Sequence, residues 1–411
     1  MKKFLSILLV CILALSCIAC NQEGSTAGNT DSPEVTVLPV GDPLEYPDYT
    51  FDQEPDTQML RQTAVQAMRD LLSIQWTPTQ GISYYNTAGR DKQFDYLPNT
   101  IYGGLLYSGA GSGLFQFLEY YDLETGALSY PGTGDELQKA LGSGCTDALL
   151  WSWGTVANSF SSGYYPSVMV QKNGYLPVGD YTYDPNLKSF YIIPTKDIIA
   201  ANGEQLILES YAKALPADAL VSSSADHAMM VVEEPHIVYK PDGTFDVDES
   251  YFRIQDQRGG QSSTTFYQEQ EGDYTVFYNS QRYMKITFAE LLKKNYIPIT
   301  LAEFNGTKAY EKANVTTQGK VCEKFKDLQN VMIESNYPLA FIRAIVVDKD
   351  GNETELDKIL FHGANGDGPP TTYNLSQWEK LHTFNTEGYK RFRLEVVVST
   401  GELFTPVIIV F

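Results

Sequence analysis

The sequence predicts an α+β unit followed by a small all-β module, held behind an exported leader and a solvated tether. Three observations lead there. Between about Phe51 and Phe304, stretches of helical spacing alternate with short β-rich runs, whereas residues 305–411 carry strand patterns and tight turns only. The chain has 411 residues and 43% hydrophobic content, enough for two or three buried cores. The first fifty residues resemble neither module. The boundaries read as 1–20 leader, 21–50 tether, 51–304 α+β unit and 305–411 β-sandwich.

Met1-Lys2-Lys3 is a positive opening, and Phe4 to Leu15 is an apolar run of twelve residues, too short to cross a bilayer as a helix. It closes in Ser16-Cys17-Ile18-Ala19-Cys20, then turns polar at Asn21-Gln22-Glu23. This resembles a bacterial lipobox with Cys20 as the acylated residue. Cys17 stands where Leu or Val is usual and is the alternative site. The resemblance implies an extracytoplasmic protein held at the cell membrane by lipid. From Asn21 to about Tyr49 the Gly, Ser, Thr, Asp and Pro content without periodicity is that of a tether.

Beyond the tether, Leu60, Ala64, Ala67, Met68, Leu71 and Leu72 fall on one helical face, with Asp56 or Thr57 as cap. Ile82 to Gly111 is tyrosine-rich and loop-like. Short helices are expected over Ser112–Tyr121 and Gly134–Leu141, and a longer buried one over Cys145–Ser159. Strands follow at Ser167–Val170, Ser189–Ile193, Ala219–Val221, His227–Val232, Ile237–Lys240, Tyr251–Gln257 and Tyr274–Tyr278. Helices over Glu204–Lys213 and Thr287–Lys294 complete the unit. In the final part, Leu339–Val347, Arg391–Val398 and Leu403–Phe411 read as strands around hairpin turns at Asp348–Asn352 and Thr400–Glu402, an immunoglobulin-like sandwich in the loose sense.

Thirty basic against fifty-one acidic residues give a net charge of −21, which argues against nucleic acid as a partner. Of five cysteines, Cys11 and Cys17 leave with the leader and Cys20 carries lipid. Only Cys145 and Cys322 remain, so a disulfide framework is excluded, and a single bridge between these two is the structural alternative to a reactive thiol.

Gly142-Ser143-Gly144-Cys145-Thr146-Asp147 puts a cysteine on the first turn of an apolar helix. There the unpaired N–H groups and the dipole stabilise a thiolate and can donate to an oxyanion. A small buried apolar cysteine fits the same pattern. His227 opens an apolar strand after the small-residue loop Ser222-Ser223-Ser224-Ala225-Asp226, the mounting a general base needs, although a structural histidine would also sit there. The neighbouring strand offers a third polar group to orient the ring. Side chains alternate, so Asp256 faces one side and Gln255 and Gln257 the other. Asp256 is preferred because a carboxylate stabilises imidazolium, with Gln257 second.

The helix-leading Cys145, the loop Tyr102-Gly103-Gly104, the turn Pro216-Ala217-Asp218-Ala219-Leu220 and the strand-leading His227 together resemble the NlpC-type branch of papain-like cysteine peptidases. The likeness covers roughly 96–257. It implies a papain-like fold, cleavage of amide bonds in peptidoglycan stem peptides, no cofactor and no metal, and a supporting role for Tyr102 at the oxyanion site. This chain departs in Gly144-Cys145-Thr146-Asp147, in Ala217 where the family has glycine, and in the 82 positions from Cys145 to His227 (227 − 145), a spacing that an insertion between Phe160 and Gly203 would explain. The rival expectation is a non-catalytic surface module that binds wall polymer or a partner protein. A solute-binding lipoprotein would need two similar α/β lobes, which the strand-only C-terminus opposes. No Gly-rich loop is followed by Lys, no paired-His helix is present, and Ser222–Ser224 lack a nucleophile elbow.

Overall fold

The computed structural model describes residues 46–86, 92–160, 174–183, 194–259, 266–319, 324–363 and 370–411. The leader, Cys20 with the rest of the lipobox, most of the tether, Cys322 and the strands expected at 167–170 and 189–193 lie outside the described residues. What is described mixes helices with several sheets.

Helix α1 (Thr57–Ser73) starts where the Asp56 carboxylate accepts from the Met59 N–H, and buries the apolar stripe read from the sequence. Arg61 is buried on that same face. Its guanidinium meets the Asp218 carboxylate at 2.8 Å and donates to the carbonyls of Pro216 (2.6 Å) and Phe304 (3.1 Å). A buried charge so fully ligated pins the helix to the turn that ends at Asp218.

Strands β1 (Gln75–Pro78), β2 (Ile82–Asn86), β3 (Lys92–Tyr96) and β4 (Ile101–Gly103) follow. About half of the described part of the expected loop is therefore β. Tyr84, Phe94 and Tyr96 point inward while Ser83, Tyr85, Gln93 and Asp95 point to solvent, a two-residue alternation too brief to stand out among turn residues. Helices α2 (Leu114–Leu118) and α3 (Gly134–Ala140) flank the short β5 (Ala127–Leu128), and α4 spans Cys145–Trp153. Helix α4 is shorter than expected because Gly154 caps it and the chain turns at Thr155.

After β6 (Tyr175–Pro177) come α5 (Thr195–Asn202), α6 (Glu204–Lys213), β7 (Ala219–Ser222), β8 (His227–Val231), β9 (Tyr251–Gln257), β10 (Tyr267–Glu271), β11 (Tyr274–Tyr278), β12 (Ser280–Thr287), α7 (Phe288–Lys293) and β13 (Ile297–Leu301). A six-stranded sheet runs β12-β9-β8-β7-β13-β6 with every neighbour antiparallel. One face meets α1 and α4. The other carries Phe252, whose ring lies 5.9 Å from that of Tyr211 on α6 and 5.3 Å from that of Phe288 on α7. Ile237–Lys240, expected as a strand, makes only isolated bridges at His236 and Tyr239, since Pro235 and Pro241 bracket it and cannot donate to a ladder.

From Ala313 onward the chain gathers a second core, including Tyr337, Trp378 and Phe392. Strands β14 (Val315–Gly319), β15 (Val331–Ser335), β16 (Leu339–Asp348), β17 (Glu353–Leu360), β18 (Thr372–Asn374), β19 (Tyr389–Val398) and β20 (Leu403–Val410) form sheets ordered β17-β16-β19-β20 and β14-β15-β18. Buried hydrogen bonds tie this part to the first: Gln116 Nε2 donates to the Phe361 carbonyl (2.9 Å) and the Gly363 N–H to the Gly111 carbonyl (3.0 Å).

Candidate active site

Cys145 is the first residue of α4, and its position is set by a ladder of short bonds between two loops. The Ser143 N–H donates to the Leu106 carbonyl (3.0 Å), the Ser112 N–H to the Gly142 carbonyl (2.9 Å) and Ser108 Oγ to the Leu141 carbonyl (2.7 Å). Gly142 has φ +103°, and a Cβ there would lie 2.5 Å from both the Leu106 carbonyl oxygen and Ser108 Oγ. Only glycine serves. Gly144 is different: its backbone is extended and an added Cβ would meet only Asp147 Oδ2 at 3.5 Å and the Ser108 carbonyl oxygen at 4.0 Å. Helix α4 is held by indoles on both sides, Trp151 Nε1 donating to Gly111 and Trp153 Nε1 to Ala217, each at 2.8 Å.

His227 opens β8 immediately after Asp226, whose φ of +48° completes the tight turn. In the antiparallel β8–β9 register Met230 faces Gln255 and Val231 faces Ile254, and continuing that alternation puts His227, Met229, Asp256 and Arg258 on one face. His227 Nε2 lies 2.6 Å from Asp256 Oδ2. Asp256 is fully buried, and the Arg258 guanidinium holds its carboxyl below the usual range despite the opposing effect of burial. An ionised carboxylate only accepts, so Nε2 donates to it. That leaves Nδ1 as the ring nitrogen for Cys145.

Cys145 is a half-buried free thiol, without a disulfide. Burial alone would raise its pKa. The His227 charge and hydrogen bond, the Ala228 N–H and the Thr146 hydroxyl outweigh burial and lower it. Burial likewise opposes charge on His227, but the facing thiolate and then Asp256 raise it to about 9. The two shifts reinforce each other, each favouring the charged form of its own group. The first N–H groups of α4 have no helical partner four residues back, and such groups can donate to an oxyanion.

The structure thus brings Cys145, His227 and Asp256 together. Gln257 is turned to the opposite face, where its Nε2 donates to the Leu105 carbonyl (2.8 Å), and Gln255 donates to the Val65 carbonyl (3.0 Å). Tyr102 lies elsewhere. Its hydroxyl accepts from the Leu97 N–H (2.8 Å), its ring meets Trp76 (5.2 Å) and Tyr96 (4.8 Å), and these contacts engage it away from Cys145. The expected oxyanion role for Tyr102 is not what its contacts support. The tyrosine beside the nucleophile loop is Tyr107, which bridges to Ser143.

Arg258 escaped the sequence reading. Its Nε contacts both Asp256 oxygens (3.0 and 2.8 Å), Nη2 bonds Oδ2 as well, and Nη2 lies 3.5 Å from His227 Nε2. The signal was available, since Arg258 directly follows β9 and the strand's alternation carries a residue two positions after Asp256 to the same face. Asp218, matched to the family's turn, binds Arg61 and the Leu215 N–H and has a structural task. Ala217 takes φ +71°, a backbone conformation that favours glycine.

Comparison with family models, with curated proteins and with solved structures finds no match.

Proposed function

We propose that this protein is a thiol-dependent hydrolase of amide bonds, a divergent papain-like cysteine peptidase or amidase of the NlpC type with an immunoglobulin-like sandwich at its C-terminus. The observation that carries the reading is the convergence of a helix-leading thiol, a strand-leading imidazole and a buried carboxylate in one hydrogen-bonded line.

In this reaction the Cys145 thiolate attacks the carbonyl carbon, and the oxyanion is met by the first N–H groups of α4. The His227 imidazolium gives its Nδ1 proton to the leaving nitrogen as the C–N bond breaks, leaving a thioester. Water attacks the thioester, its proton passes to His227, and the C–S bond breaks to release the acid and restore the ion pair. Asp256 keeps the Nε2 proton in place throughout. The lipobox-like leader and the family resemblance point to peptidoglycan stem peptides at the cell envelope as the substrate class, with membrane attachment through Cys20. The test is hydrolysis of muropeptides by the wild type and by Cys145→Ala. Turnover is expected only from the wild type, and equal turnover by both would remove the nucleophile.

A further inference from the structure

A cavity of about 280 Å³ opens between the turn from β1 to β2 and the start of α3, at the lower end of the size range of small-ligand sites. None of the described residues lining it is charged, although 20% of the chain is and the net charge is −21. Leu128 and Leu137, both buried, give it an apolar floor, and the half-buried Tyr130 gives it an aromatic wall. A Cβ on Gly132 would lie 2.6 Å from Cε1 of that ring, so glycine lets the backbone rest against it. Tyr120 meets the Tyr130 ring in a T-shaped contact at 5.0 Å, which fixes the ring without stacking on it. Gln80 Nε2 donates to the Tyr130 carbonyl (3.1 Å), and among the described residues the amide oxygen and second N–H of Gln80 make no other bond. The Glu136 carboxylate is taken by the cap of α3, where it accepts from the Thr133 N–H (2.8 Å) and hydroxyl (3.0 Å).

The two sides of the cavity are locked together, since a Cβ on Gly134 would lie 1.9 Å from the Ser83 carbonyl oxygen and only glycine lets α3 start so close to β2. A rigid pocket with one aromatic face, an apolar floor and an unspent amide suits a ring that is apolar on its faces and hydroxylated at its rim. An anionic ligand would find no cation there and would meet the field of an acidic chain. From this pocket α3 carries the chain over about 10 Å of helix to Leu141, whose carbonyl binds Ser108 Oγ, and Cys145 follows four residues later. We propose that this cavity binds a neutral pyranose ring, and that the ring belongs to a glycan attached to the peptide that Cys145 cleaves. The attachment rests on the hydrolase reading above, whereas the sugar site does not.

The experiment titrates the protein calorimetrically with two neutral trisaccharides, tri-N-acetylchitotriose and maltotriose, and with trigalacturonate, which carries a carboxylate on each ring. At least one neutral sugar is expected to bind saturably, and trigalacturonate about tenfold more weakly or worse. Gly81 lines the cavity and is exposed, and a Cβ there would meet only Pro98 Cδ at 3.9 Å. Gly81→Leu therefore fills the pocket without pressing on the protein, and should weaken sugar binding about tenfold while Tm holds. Tyr130→Ala should lose as much and Tyr130→Phe, which keeps the ring, little. No binding of either neutral sugar, equal binding of trigalacturonate, or binding untouched by Gly81→Leu would overturn the sugar site. The KM for a disaccharide-linked peptide is then compared with that for the free peptide. Wild type should favour the linked form and Gly81→Leu should narrow the difference; equal KM values in the wild type would refute the attachment. Sugar binding alongside turnover indifferent to Cys145→Ala would sink the hydrolase reading and leave the pocket, whereas Cys145-dependent turnover without sugar binding would do the reverse.

Discussion

Asp256→Asn is the sharpest perturbation of the site because two donors compete for one small group. In the wild type the carboxylate accepts from both His227 Nε2 and the Arg258 fork. An asparagine has one acceptor oxygen, and the guanidinium, which can only donate, will hold it. The amide NH₂ then faces His227, so Nε2 must accept and the proton moves to Nδ1, leaving no lone pair for the thiol proton. The charge balance fails as well. Raising His227 from 6.5 to about 9 corresponds to about 3 kcal/mol in favour of imidazolium, part of it from Asp256. Without that carboxylate, Arg258 at 3.5 Å repels imidazolium by up to about 5 kcal/mol at an effective dielectric constant of about 20, roughly half of it surviving the partial exposure of the arginine. Iodoacetamide alkylation of Cys145, followed by mass spectrometry from pH 4 to 10, reads the outcome. The wild type should react well below the ordinary thiol range. Asp256→Asn should move the rising limb to higher pH and slow the pH 7 reaction by about ten- to a hundredfold. Asp256→Asn/Arg258→Met, in which the amide can rotate and the repulsion is gone, should recover at least part of that loss. Superimposable wild-type and Asp256→Asn profiles, or a double variant slower than the single one, would refute the reasoning.

Gly142→Ala should cost more than about 2 kcal/mol and lower the soluble yield, because its Cβ would strike backbone, whereas Gly144→Ala should stay within about 1 kcal/mol; calorimetric Tm values compare the two. Arg61→Met leaves Asp218 buried and unpaired and should cost about 3–5 kcal/mol, with Arg61→Met/Asp218→Leu less damaging than the single change. Asp147, whose carboxyl burial raises from 3.8 to about 6 against the Gly144 N–H, binds its proton more tightly folded than unfolded. Its contribution is therefore full below about pH 4 and lost as pH rises through about 6, by roughly 3 kcal/mol. Asp147→Asn should accordingly raise Tm at pH 7.5 and lose its advantage near pH 4, and equal Tm values at pH 7.5 would contradict this.

The parts of the fold legible in the sequence were those where one signal dominated. Asp56 caps α1 and its apolar stripe is regular, Glu204–Lys213 is helical as its pattern says, and β9 spans Tyr251–Gln257 as its alternation says. Strand β13 was missed because Pro298 sits inside it, in a position where the sheet is central and a proline argues against a strand. The fold tolerates it: the Pro298 carbonyl still accepts from the Val178 N–H (3.2 Å) and Tyr181 hydroxyl (2.7 Å). In the site, alternation alone separated Asp256 from its two glutamine neighbours. It could not give the distance to His227, nor show that Arg258 turns inward to a carboxylate, since an arginine at a strand end usually seeks water. Tyr102 was singled out through a motif whose glycines serve another purpose. A Cβ on Gly103 would strike the Tyr278 ring, and Gly104 at φ +74° passes close to the Leu72 carbonyl.

The C-terminal part bears on the nucleophile helix through two carbonyls, those of Gly111 and Gly154. The Gly111 carbonyl accepts from Trp151 Nε1 at 2.8 Å and from the Gly363 N–H at 3.0 Å, so the loop leading out of β17 and the nucleophile helix share an acceptor. Gly111 has φ +68°, and a Cβ there would lie 3.1 Å from Gly363, which makes glycine the residue for this contact. The neighbouring Ser112 holds Gly142, two residues on from which comes Gly144 and then the sulfur. At the far end of α4, Ser399 Oγ donates to the Gly154 carbonyl. Residues beyond 360 thus hold the last turn of α4 and its C-cap, and reach its N-terminal approach through Gly111 and Ser112. Because interiors transmit small displacements rather than absorb them, and a misplacement of about 1 Å can cost a hundredfold in rate, these last strands belong to the apparatus that positions the thiol.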